Sequence, residues 1–131
     1  MTTLDHARGD LLSDWRKTLA LYGLPTAAIM ASGAAPLSDP ARGAIWALAC
    51  LVMAGACLSN ALRCGRVHCW FTGPFFVVMA LASALLGAGV GNLGRGGWGD
   101  LGLLLMVGAA SLMFLPEIIL GKYRGRASSR S

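Results

Sequence analysis

Two thiols and an imidazole, Cys64, His68 and Cys69, fall within one short stretch of the chain that runs from Asn60 to Pro74. Sulfur and imidazole donors suit soft or borderline metals such as Hg(II), Cu(I) and Zn(II). Arg63 and Arg66 flank the cluster and favour the thiolate, the form of cysteine that binds metal. Gly65 and the Gly73-Pro74 pair permit the tight backbone that a short ligand loop needs. Upstream, Cys50, Cys57 and Cys64 are spaced by seven. On one helix they share a face with only about 20° of drift per heptad, and Met53 and Asn60 fall near it. The chemistry this pattern points to is a metal site at Cys64, His68 and Cys69, with Cys57 and Cys50 as relays that hand the ion on by ligand exchange.

Plainer roles compete with that reading. Cysteine packs comfortably in apolar surroundings, which would make Cys50 and Cys57 core residues. The loop group could serve only to hold the loop through hydrogen bonds. A closed zinc site lacks a second Cys/His pair, since only Cys57, His6 or water could complete it, so the site reads as open. A Cys64–Cys69 disulfide is within reach but disfavoured on a reducing cytoplasmic side. The spacing is neither Cys-x-x-Cys nor Cys-x-x-Cys-His, and one interfacial histidine is thin support for haem. Gly89-x-Gly91-x-x-Gly94 follows an apolar span with no βαβ unit, so it is no dinucleotide fingerprint. Nothing places a nucleophile beside an oriented base. The chain is therefore expected to be no enzyme and to use no organic cofactor. Glu117, acidic at membrane depth, is expected to pair with Lys122, Arg124 or an arginine of the central loop.

These residues need elements to position them, and composition says what solvent surrounds those elements. Charged residues are 13% of the 131 and hydrophobic ones 56%, against roughly 25% charged in soluble domains. So small a protein cannot cover a water-exposed surface with so few charges, and a mean hydropathy of +0.63 agrees. The net charge of +5 does not mark nucleic acid as a partner, because Lys and Arg lie between and beyond the apolar runs and form no basic stripe. The expected fold is all-α, an integral membrane bundle of four transmembrane helices. Residues 1–17 form a polar, amphipathic N-terminal segment, 18–120 the transmembrane domain, and 121–131 a basic, serine-rich disordered tail. Within the domain the spans are read at 18–35, 43–62, 72–91 and about 101–120, with 63–71 as the central loop and Gly91 to Gly99 as a glycine-rich loop.

Charge asymmetry orients the bundle. With four spans, nine Lys and Arg fall on the side of both termini and two, Arg42 and Arg95, on the other. Cytoplasmic loops retain such charges, so both termini are expected in the cytoplasm and the protein in a bacterial inner membrane. Trp15, Trp46, Trp70 and Trp98 all fall at expected boundaries, where indole rings settle. The first run also has a rival reading as a cleaved secretory signal peptide, with Arg16 and Lys17 before it and small residues at Ala31 to Ala35; cleavage, or failure of that run to cross, would leave three spans. Ala80, Ala84 and Ala88, with Gly87 and Gly91, offer small-residue ridges on which helices of this chain or of a homo- or hetero-oligomeric partner could pack.

The run Asn-x-x-Arg-Cys-Gly-Arg-x-His-Cys-x-Phe-Thr-Gly-Pro, residues 60–74, resembles a signature of small uncharacterised bacterial inner-membrane proteins and covers roughly a tenth of the chain. A looser resemblance is to the membrane transport proteins of mercury-resistance systems, which are short, multi-spanning and pass Hg(II) inward on paired cysteines. Those carry a vicinal cysteine pair in the first helix, and this first run has no cysteine. The leading expectation is a small inner-membrane protein that binds or passes a thiophilic ion (Hg, Cu or Zn). Behind it stand a non-catalytic accessory or assembly subunit of a larger membrane complex and, weaker, a membrane thiol oxidoreductase.

Overall fold

The computed structural model describes residues 10–91 and 96–121. The start of the N-terminal segment, part of the glycine loop, the basic tail and the side chain of Cys64 lie outside the described residues. All regular structure among the described residues is helical.

A single 3-10 turn, Leu11–Ser13, opens the chain, with the Asp10 carboxylate accepting from the Leu12 amide. Helix α1 (Trp15–Thr18) follows, capped by Asp14 through the Arg16 amide. It continues without a break into a π-helical turn, Leu19–Gly23, and then α2 (Leu24–Ala34). The π turn has an identifiable cause. Pro25 cannot donate to the Leu21 carbonyl and its ring would press on it; the ladder shifts register just before it, so that the Leu24 amide reaches Leu19 O.

Helix α3 (Asp39–Cys64) starts with Pro40 in its first turn, where a missing N–H costs nothing. Its 26 residues span about 39 Å. Gly65 ends it in the left-handed region, at φ 65°, with its amide on Ala61 O, and Arg66 is already the extended N-cap of α4 (Val67–Gly87). A chain that reverses in two residues leaves no room for the 63–71 loop expected from sequence. His68 and Cys69 are helical, and α4 begins five residues earlier than the expected span. Helix α5 (Trp98–Leu120) comes last.

Among the described residues three helices are long and apolar enough to cross a membrane, over Asp39–Arg63, Val67–Gly87 and Trp98–Leu120. The first run is helical but divided by its π turn into pieces each too short to do so alone. Helices α3 and α4 form the tightest pair, an antiparallel hairpin in which backbone meets backbone. A methyl group placed on Gly43 would sit 2.7 Å from the Gly87 Cα, so neither position has room for a side chain. Lower down, a Cβ on Gly73 would meet Leu58 at 2.8 Å. The α4 face that packs here carries Phe76, Met79, Ala80, Ser83 and Gly87. Ala80 and Gly87 of the expected ridges thus serve the hairpin itself.

The core follows α3: Trp46, Cys50, Met53, Ala54, Cys57 and Ala61 are all buried. Cys50 and Cys57 therefore share one face as their spacing requires. Helix α5 is peripheral, with 11% of its most apolar window buried against 50% for α3. At the end of the bundle near Asp39, Trp46 is buried and donates to Ser32 Oγ at 3.0 Å. Its ring meets Trp98 edge-on at 5.3 Å, Trp98 donates to Asp39, and the Arg42 guanidinium lies over the Trp98 ring while bonding Ser32 O and Ala35 O.

Candidate functional site

At the opposite end the C-terminus of α3, the N-terminus of α4, the C-terminus of α5 and the segment before α1 converge. Each brings polar side chains, and together they form one connected chain of contacts.

Arg66 lies at its centre. The two-residue turn after Gly65 aims its guanidinium back across the helix ends, where Nη1 donates to Asp10 Oδ2 at 2.5 Å and Nε to Glu117 Oε1 at 2.9 Å. Asp10 also accepts from Asn60 Nδ2 at 2.8 Å, and Asn60 Oδ1 accepts from the Leu11 amide at 2.8 Å. Asn60 is fully buried on α3, so its amide staples the N-terminal turn to the bundle through both ends. Burial alone would raise the pKa of Asp10. The bonds from Leu12 and Asn60 and the charge of Arg66 outweigh it and hold the carboxyl below the ordinary range. For Arg66 burial opposes the charge, but Glu117 and Asp10 prevail and the guanidinium is held more firmly protonated.

From Glu117 the chain continues inward. Its Oε1 lies 2.6 Å from His68 Nδ1, and His68 Nε2 lies 3.3 Å from Cys69 Sγ. A carboxylate can only accept, so Nδ1 carries a proton, and Nε2 faces the thiol. His68 and Cys69 are both buried, at 2% and 0% exposure. The neighbouring thiol is Cys57 of α3, within hydrogen-bonding reach of Cys69 and Thr72 and 3.3 Å from the Tyr22 hydroxyl on the π turn. Beside this group lies a cavity of about 290 Å³ whose walls include Tyr22, Met53, Cys57, His68, Met106 and Met113.

The sequence-derived residues are thus sorted by the fold. Cys57, His68 and Cys69 come together; Cys50 lies in the core two turns along α3; Cys64 ends α3, its side chain outside the described residues. Glu117 does pair with an arginine of the central turn, as expected. Sequence reasoning missed Asp10 and Asn60 as partners, and Tyr22 beside Cys57. A buried Asn on the cysteine face of α3 was the available signal, since such an amide requires polar neighbours. Among the described residues no group of three or more His, Cys, Asp or Glu side chains is placed to hold a metal ion. What remains is a pair of adjacent thiols. No protein-family model, no curated protein and no solved structure matches the chain.

Proposed function

We propose that this chain is a multi-pass protein of a bacterial inner membrane that binds a thiophilic metal ion and passes it inward, with Cys57 and Cys69 as its thiolate pair. The observation that carries this reading is the meeting of two buried thiols from adjacent helices beside an imidazole whose Nε2 faces one of them. Soft ions such as Cu(I) and Hg(II) prefer thiolates and are satisfied by two of them, so a dithiol can serve where a caged four-ligand site is lacking. Binding displaces a proton from each thiol: His68, oriented by Glu117, takes that of Cys69, and that of Cys57 leaves to solvent. Cys64, two turns beyond Cys57 at the end of α3, is the next ligand towards the cytoplasm, and Cys50, two turns the other way, precedes the pair.

Four spans and a cytoplasmic site belong to the same proposal. The helical run from Trp15 to Ala34 is 20 residues, about 30 Å, which matches a bilayer core. Among the described residues, Arg16, Lys17, Arg63 and Arg66 lie towards the end that gathers Asp10 and Glu117, and Arg42 lies towards the other. Purified full chain should bind Cu(I) or Hg(II) in detergent, and the Cys57→Ser/Cys69→Ser variant should lose it. Unchanged stoichiometry and affinity in that variant would overturn the reading.

The broad exposed apolar face of α5, with Leu104, Val107, Phe114 and Ile118 among its residues, favours a second role as a subunit packed against another membrane helix. A stable heteromeric complex whose yield ignores the cysteine changes would establish that role.

A further inference from the structure

A second cavity, also about 290 Å³, lies towards the Trp46–Trp98 end, with Met30, Trp46, Trp98 and Met106 among its walls. It and the cavity beside Cys57 both open along the seam between the first helical run and α5, and they share Met106. The chain has six methionines. Four of them, Met30, Met53, Met106 and Met113, line these two cavities, so thioethers run from one end of the seam to the dithiol at the other. Met106 and Met30 are more than half exposed, and an unbranched methionine so placed is free to swing.

Thioether sulfur is neutral, soft and weak. It accepts Cu(I) and its congener Ag(I), and it is a poor ligand for Zn(II) or any harder ion. Weak, repeated sites are also what conduction requires, since an ion must be able to leave each one. The thiol pair alone does not discriminate among soft ions; its approach does. We infer that the seam is a thioether-lined path that brings a soft monovalent cation of the Cu(I) class from the Trp46–Trp98 end to Cys57 and Cys69, with Met106 as the handover between the two cavities. This rests on the dithiol reading and narrows its substrate to one class. A lining chosen only for volume would use leucine equally well, and that supplies the test, because Met→Leu conserves size while removing the sulfur.

The experiment uses the full chain in liposomes loaded with a trapped Cu(I) chelator, with external Cu(I) kept reduced by ascorbate. Wild-type protein should load the chelator, and the Met30→Leu/Met106→Leu variant should do so about tenfold or more slowly, the effect of on the order of 1.4 kcal/mol on a barrier. The same variant should bind Cu(I) in detergent with wild-type stoichiometry, since its thiols are intact. Uptake by the leucine variant within about twofold of wild type, or a wild type that moves no Cu(I), overturns the path. The dithiol reading fails separately, if Cys57→Ser/Cys69→Ser retains full Cu(I) binding in detergent.

Discussion

Replacing Arg66 with glutamine removes a cation that Asp10 and Glu117 share. The Arg66 side chain is 13% exposed, Asp10 3% and Glu117 24%, so the Asp10 contact is a buried ion pair and the Glu117 contact is partly screened. Stripping the partner from a buried charge costs about 3–5 kcal/mol. Asp10 keeps its bonds from Leu12 and Asn60, which places the expected loss for Arg66→Gln near the lower end, about 3 kcal/mol. Asp10→Asn removes the charge but keeps an acceptor and should cost about 1–2 kcal/mol. Because the two residues touch, the double variant should be more stable than the sum of the single losses implies, by about 1.5 kcal/mol. Acid should act in the same direction. A carboxyl whose folded pKa is lowered contributes stability fully above its unfolded value, about 3.9, and loses it as pH falls through the lower folded value. Wild-type stability should therefore decline in acid below about pH 4, and Asp10→Asn should flatten that decline. Unfolding in mixed detergent–SDS micelles, followed by tryptophan fluorescence, measures all three variants. Additive losses, or an Arg66→Gln protein within about 0.5 kcal/mol of wild type, would refute the network.

Other consequences are simpler to check. Gly87→Ala should destabilise by about 1–3 kcal/mol, because its methyl would lie 2.8 Å from the Gly43 Cα and the hairpin would have to separate; SDS unfolding reads this directly. Gly65→Ala should cost about 1–2 kcal/mol by forcing a side chain to φ 65°, whereas Gly55→Ala, with open space at its Cβ, should stabilise α3 slightly. In a Cys64→Ser background the remaining thiols, exposed by 1% or less, should resist maleimide in the folded protein and react promptly in SDS.

The helices were legible because lipid-facing spans need nothing more than length and apolarity, and α3, α4 and α5 have both. The pairing of Glu117 with a central arginine was legible for a related reason: a carboxylate at that depth requires a cation, and the topology allowed few. The site was half legible. Cys64 and Cys69 are close in sequence, and proximity along the chain suggested one loop cluster. The turn at Gly65 instead puts them on different helices. The register set by Gly43 against Gly87 and Leu58 against Gly73 brings Cys57, twelve residues before Cys69, level with it and with Thr72. That register depends on backbone contacts that no spacing rule encodes. Asp10 was hidden more deeply. It lies 50 residues from Asn60 and 56 from Arg66, in a segment whose pattern read as a polar, amphipathic stretch on the membrane surface.

X-ray absorption on the full chain loaded with one equivalent of Cu(I) bears most directly on the idea that two helices donate one sulfur each to a common ion. Two short metal–sulfur contacts are the expected signature, with one of them lost on either Cys57→Ser or Cys69→Ser alone. A shell dominated by nitrogen and oxygen, or a sulfur pair indifferent to both substitutions, would contradict it.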